Sequence, residues 1–203
     1  MYKSNIMKNI LFTLTLLVCF VSFGQTSKEY FDSGMDKAEN GDIYGAISDF
    51  SKVIEIQPNN SLAYYNRGNL KSDLNDYDGA ISDYDKAIEI NPNYINAYYN
   101  RGHSKQNLKD YSGAIADYTK AIEFDPDKAD SYYNRGLAQD NLKDYYAAIS
   151  DYTKAIKINP YYSKAYNNRA ISKELLGIEG CADARRAKEL GGGSDQLIKM
   201  TCN

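Results

Sequence analysis

Between residues 61 and 94, apolar and small side chains fall at Tyr64, Gly68, Leu74, Ala80, Ile81, Tyr84, Ala87, Ile88 and Ile90. From Ala80 onward the steps are three to four residues, the period of one buried face of an α-helix. The polar break Asn75-Asp76-Tyr77 predicts a turn between two helices, with Asp76 accepting hydrogen bonds from the free amides of the second. Pro92 disfavours helical geometry in the residue before it, so the second helix is predicted to stop near Ile90. The segment reads as a helical hairpin.

The same pattern returns along the chain. Pro58, Pro92, Pro126 and Pro160 stand 34 residues apart, and Asn66-Arg67-Gly68 recurs as Asn100-Arg101-Gly102 and Asn134-Arg135-Gly136, then as Asn168-Arg169-Ala170. Such self-similarity predicts a solenoid in which each unit buries one face against the next. The units are 27–60, 61–94, 95–128 and 129–162, followed by an altered fifth over 163–193 and a last helix over 194–203. Gly34, Gly68, Gly102 and Gly136 share one position on the first helix of each hairpin, and Ala46, Ala80, Ala114 and Ala148 share one on the second. A third small position holds Val53, Ala87, Ala121 and Ala155. Large partners flank them: Tyr30, Tyr64, Tyr98 and Tyr132, then Phe50, Tyr84, Tyr118 and Tyr152. Glycine inside a helix costs up to about 1 kcal/mol relative to alanine, so its recurrence predicts a close approach of the second helix.

With Tyr64, Gly68, Tyr77, Ala80, Tyr84, Ala87 and Pro92 in that order, the unit resembles the tetratricopeptide repeat (TPR). The resemblance covers 27–162 and continues in weaker form to about Gly191. It implies an all-α fold, a right-handed superhelix whose first helices line a concave groove, and a role in binding peptides or proteins.

The two ends differ from the middle. Lys28, Glu29, Asp32, Asp36, Lys37 and Glu39 suit an exposed first helix. In the fifth unit the turn Leu176-Gly177-Ile178-Glu179-Gly180 reads one residue short when Asp183 is aligned with Asp151. After Gly191-Gly192-Gly193, Ser194 is a candidate N-cap for a capping helix that carries Leu197, Ile198 and Thr201 on one side. Cys181 takes the place of Ile47, Ile81, Ile115 and Ile149, and Cys202 lies about as far beyond the glycine turn as Cys181 lies before it. In an antiparallel hairpin the two would face each other, which predicts a disulfide. Two small buried thiols are the alternative, and zinc would need more ligands than these.

Residues 1–24 read as a secretory signal: Lys3 and Lys8 precede an apolar stretch from Ile10 to Phe23, too short for a membrane span, and Ser22 and Gly24 suit a cut before Gln25. Met7 begins an equally good signal. A lipoprotein anchored through Cys19 is the rival reading, although Val18 is larger than the residue usual before such a cysteine. Cleavage predicts a periplasmic or secreted chain with no remaining membrane span, in which Cys181 and Cys202 meet oxidising conditions. The formal charge is −3 for the whole chain and −5 once Lys3 and Lys8 are removed. Neither this balance nor any run of basic residues offers attraction to a phosphate backbone, so nucleic acid is not an expected partner.

The chemistry that remains is ladders of one residue type. Phe31, Tyr65, Tyr99 and Tyr133 form one, and Asp32, Asn66, Asn100 and Asn134 the next, ending at Asn167 and Asn168. If the first helices line a groove, these face it, with His103 and Met35 at a further position. Tyrosine offers area and a hydroxyl, and asparagine holds the main chain of an extended peptide by two bonds. The alternative is that the asparagines tie neighbouring helices together. Some relatives grip a C-terminal carboxylate with groove lysines, but the nearest here, Lys71 and Lys105, do not suit that role. Arg67, Arg101, Arg135 and Arg169 face a ladder of Asp49, Asp83, Asp117, Asp151 and Asp183, pairing either within a unit or with the unit before. One histidine, no glycine-rich phosphate loop and no histidine–carboxylate cluster leave no expected active site, metal or cofactor. The expected function is a non-catalytic protein-interaction scaffold, monomeric or dimeric, that holds a peptide or partner segment through Phe31, Tyr65, Asn66, Tyr99, Asn100, His103, Tyr133 and Asn134. The alternative is a structural or oligomeric component of the cell envelope.

Overall fold

The computed structural model describes residues 26–202, and the expected signal segment lies outside them. Two compact units divide at Pro92 and Asn93. No strand occurs among the described residues, and no described helix is long and apolar enough to cross a membrane. The first unit holds α1 (26–39), α2 (Ile43–Ile56), α3 (Ser61–Asp73) and α4 (Tyr77–Ile90). The second holds α5 (Ile95–Asn107), α6 (Tyr111–Phe124), α7 (Ala129–Asn141), α8 (Tyr145–Ile158), α9 (Ser163–Leu175), α10 (Cys181–Glu189) and α11 (Asp195–Thr201).

Each hairpin turns in the same way. Asp42, Asp76 and Asp110 accept from the amides of Gly45, Gly79 and Gly113, and Asp144 from that of Ala147, capping α2, α4, α6 and α8. The residue before each of these caps is left-handed: Gly41 at φ 82°, then Asn75, Lys109 and Lys143 at 61–64°. Lysine is a poor residue for that conformation, and the turn imposes it all the same.

The small positions carry the packing. Ala46, Ala80, Ala114 and Ala148 are wholly buried, as are Val53, Ala87, Ala121 and Ala155. In the first unit the Phe50 ring lies on Gly34 and the Tyr84 ring on Gly68; in the second, Tyr118 lies on Gly102 and Tyr152 on Gly136. A Cβ at Gly136 would stand 2.7 Å from Cε1 of Tyr152, closer than side chains approach. The second aromatic ladder, rather than the first, therefore explains the glycines. Tyr64, Tyr98, Tyr132 and Tyr166 instead lie under the guanidinium three residues on, at 5.4–5.7 Å from ring centre to Cζ.

Those arginines settle the pairing that the sequence left open. Arg67, Arg101, Arg135 and Arg169 each grip the aspartate of their own hairpin, Asp83, Asp117, Asp151 and Asp183, with Nε and Nη2 on the two carboxylate oxygens. Nη1 of Arg67, Arg135 and Arg169 reaches back to Ser51, Thr119 and Thr153 of the hairpin before, at 2.9–3.0 Å. One side chain thus closes its own hairpin and ties it to its neighbour. Lys71, Lys105 and Lys173 add a second cation to three of the aspartates. Asp49, with no arginine, takes Ser33 and Lys37, whose side chain stays 39% exposed on the polar face of α1.

The fifth hairpin is shorter than expected. Its arginine and aspartate are 14 residues apart against 16 elsewhere, so two residues are missing and not one. Gly177 keeps the left-handed position at φ 69°, but no aspartate cap follows, and α10 starts late, on Gly180, with no side-chain cap. Packing changes in step. Ala170 stands where Gly136 stood and Ala184 where Tyr152 stood, while Gly180 comes so near that a Cβ would meet the Ala170 carbonyl at 2.7 Å. Leu197 of α11 joins Ala170 and Ala184 in the space that a ring fills elsewhere. Ser194 caps α11 by accepting from the Leu197 amide, and a disulfide joins Cys181 to Cys202 with 4.7 Å between their Cα atoms.

Candidate functional site

The second unit carries an open hollow of about 610 Å³. Tyr99 and His103, one turn apart on α5, and Asp130, Tyr133 and Asn134 on α7 line it. Asn159, Tyr161 and Tyr162 from the α8–α9 turn, with Ser163 and Lys164 of α9, complete the lining. Four of the eight residues expected to bind peptide therefore meet here: Tyr99, His103, Tyr133 and Asn134. Asn100 follows Tyr99 on α5 but does not line the hollow. The other three lie in the first unit. Phe31 is in a smaller hollow of about 250 Å³ with Lys28 and Leu62. The Tyr65 ring meets Tyr84 at 6.1 Å, and Asn66 Nδ2 approaches Met35 Sδ at 3.7 Å.

The ladders are joined to each other. Asn134 Nδ2 donates to the Tyr99 hydroxyl at 2.6 Å, and Asn168 Nδ2 to the Tyr133 hydroxyl at 3.2 Å. Asn134 and Asn168 thus tie neighbouring first helices together, the alternative noted from sequence, each committing one amide hydrogen. The hollow gains by this arrangement. Each phenol oxygen accepts from an asparagine and keeps its own hydrogen as a donor, and Asn134 Oδ1 keeps its lone pairs. Burial pushes the Tyr99 and Tyr133 phenols up, so both remain protonated donors at neutral pH.

Other contacts hold the walls rigid. The Tyr133 and Tyr162 rings lie 4.9 Å apart, and Tyr162 donates to Asp130 at 2.6 Å, which together with burial drives its phenol upward. Lys128 Nζ stands 4.3 Å from the centre of the Tyr99 ring. Tyr161 is 75% exposed beside the opening. Tyr161, Tyr162 and Asp130 were not singled out in the sequence. The available signal was Tyr161-Tyr162 after Pro160, where the other units carry Asn59-Asn60, Asn93-Tyr94 and Asp127-Lys128.

Beneath the hollow, Asp140 accepts from Tyr152 Oη at 2.6 Å and from Ser172 Oγ at 2.8 Å. Burial pushes its pKa above the ordinary carboxylate value despite both donors. Ser172 also lies 2.9 Å from the Asn168 carbonyl and has one hydrogen for the two acceptors. Among the described residues, no three acidic, histidine or cysteine side chains are placed to hold a metal ion.

Models of the tetratricopeptide repeat match residues 61–94, 83–116 and 129–162, and one described as a TPR repeat matches 107–143, so that together they span 61–162. The chain belongs to the tetratricopeptide-repeat family. A crystal structure of MamA is 30% identical, with a TM-score of 0.79 over 82% of this chain and 92% of that one. MamA from Desulfovibrio magneticus RS-1 is 21% identical, with a TM-score of 0.73 over 86% and 94%. YrrB, described as a TPR protein with an unusual peptide-binding site, is 16% identical, with a TM-score of 0.76 over 87% and 95%. The last two share the fold. No curated protein matches the sequence. TPR proteins are generally non-catalytic and bind protein or peptide partners, and the fold of this chain supports a protein-interaction scaffold.

Proposed function

We propose that this TPR protein is exported and holds an extended segment of a partner polypeptide in the hollow formed by α5, α7 and the α8–α9 turn. The observation that carries the reading is the pair of phenols, Tyr99 and Tyr133, each fixed by an asparagine and each left with a hydrogen to donate. Two fixed donors beside exposed ring surface suit main-chain carbonyls of an extended segment, whose side chains then lie on Tyr161 and Tyr162. Lys164 and His103 at the rim add donors and do not replace this pair. Nothing in the arrangement calls for a particular charge on the guest. Export is supported by the disulfide, which persists in an oxidising compartment.

Crosslinking in the native cell envelope, followed by mass spectrometry, identifies the partner. Tyr99→Phe with Tyr133→Phe keeps the rings and removes both donors, and the expected result is a loss of partner binding of tenfold or more. Tyr99→Ala with Tyr133→Ala removes ring surface as well and abolishes binding. Intact binding by the alanine variant, with its helical circular dichroism unchanged, would refute the hollow as the site. N-terminal sequencing of protein recovered outside the cytoplasm is expected to begin at Gln25; a chain retained inside with residues 1–24 attached overturns export.

A further inference from the structure

Helix α11 has seven residues, fewer than the roughly 12–15 that an isolated helix needs to persist in water. It buries Leu197 and Thr201, at 6% and 5% exposure, and packs Ile198 against the same cluster. Burial of Leu197 and of part of Ile198 offsets only a fraction of the ordering of seven backbone units and the glycine turn before them. The Lys188–Asp195 ion pair lies in solvent and contributes little. The Cys181–Cys202 disulfide adds a covalent tie, joining the first residue of α10 to the residue after α11.

The connection between these helices touches the hollow. Gly191 turns the chain at φ 80°, and Gly193 lies on the α10 backbone, where a Cβ would meet the Lys188 nitrogen at 2.6 Å. Gly192 lies on Ser163, where a Cβ would meet Oγ at 2.0 Å. Ser163 begins α9 and, with Lys164, lines the hollow together with Tyr99 and Tyr133. A side chain at Gly192 would displace that of Ser163, so the turn lies directly against the first residue of α9.

We propose that the Cys181–Cys202 disulfide is a redox latch on the binding hollow. A dithiol reductant attacks one sulfur, and its second thiol resolves the mixed disulfide. The reductant leaves as its own disulfide, and Cys181 and Cys202 each keep one sulfur as a thiol. Without the crosslink α11 detaches, the glycine turn lifts from Ser163, and the first turn of α9 frays. The oxidised protein holds this part of the lining in place and the reduced protein loosens it. The consequence for binding rests on the hollow being the site, but the latch itself is measured without a partner.

The test is hydrogen–deuterium exchange of the intact protein before and after reduction with dithiothreitol, with alkylation and intact mass to establish the thiol count. Amides over 195–202 are expected to exchange at least tenfold faster after reduction and those over 163–167 several-fold faster, with 77–90 unchanged. The variant Cys181→Ser with Cys202→Ser should show the reduced pattern without reductant. Leu197→Ala, still crosslinked, should leave 163–167 near the oxidised pattern. Two free thiols in protein purified without reductant would overturn the latch. So would unchanged exchange of 195–202 after complete reduction, or a loosened α11 with 163–167 unaltered. If the latch behaves as expected and the tyrosine variants still bind, the latch stands and the hollow does not.

Discussion

Replacing Gly136 by alanine tests the packing on which each hairpin depends. On helix propensity alone the substitution should stabilise α7 by up to about 1 kcal/mol. The structure predicts the opposite. The new Cβ would stand 2.7 Å from Tyr152 Cε1, 3.1 Å from Cδ1 and 3.2 Å from Cζ, so the ring must retreat by close to an ångström. It has nowhere to go, being wholly buried with its hydroxyl fixed on Asp140. Overpacking of this kind costs about 1–3 kcal/mol, and drawing the hydroxyl away from a carboxylate adds about 1 kcal/mol or more. After the propensity gain is deducted, a net loss of about 2 kcal/mol is expected, which lowers the thermal midpoint of a chain this size by about 4–8 °C. Differential scanning calorimetry of the oxidised protein measures it, with Tyr152→Ala as the second arm: in that background Gly136→Ala should be neutral or stabilising. The chain contains its own control, since Ala170 occupies the same helical position where Ala184 has replaced the ring. An unchanged or raised midpoint for Gly136→Ala in the wild-type background would refute the argument.

Three further expectations follow from the charged groups and the site. Asp117 has both Arg101 and Lys105, whereas Asp151 has Arg135 and, at the lysine position, Gln139. Arg135→Gln should therefore cost about 3–5 kcal/mol, the usual loss when a buried charge is left alone, and Arg101→Gln measurably less, as read by urea unfolding. Asp140 has its pKa raised in the fold, so its stabilising contribution is complete below the ordinary carboxylate pKa and is lost as pH rises through the folded value. Asp140→Asn keeps a bond from Tyr152 and donates to Ser172, so it should gain on the wild type as pH climbs from 4 to 7; a constant difference across that range counts against a strained carboxylate. The phenylalanine pair at Tyr99 and Tyr133 should keep the fold and lose the partner, which separates the hydroxyls from the rings.

Much of the local structure was legible because it depends on near neighbours. Asp76 sits before a run with helical period, and its side chain reaches the Gly79 amide three residues on, a contact that needs no tertiary partner. Lys109 and Lys143 were not legible in this sense: lysine does not favour the left-handed region, and the conformation is imposed because the helices on either side are already packed. The shortened fifth hairpin was half visible. Its lost cap and glycines mark a departure, but the count of missing residues follows from which aspartate Arg169 grips.

The sequence by itself determined the interval, the helical hairpins and the residues that share a face, because a helix fixes its own period within one turn. It also brought Tyr99, His103, Tyr133 and Asn134 to one place, since positions 34 residues apart, or one turn apart, recur on the same side. Only the tertiary structure decided what those faces meet. Arginine closing its own hairpin while reaching a hydroxyl of the one before, and asparagine donating to a tyrosine 35 residues earlier, depend on the axial offset between packed helices. That offset is a property of faces packed between hairpins, and no pattern along a single helix encodes it.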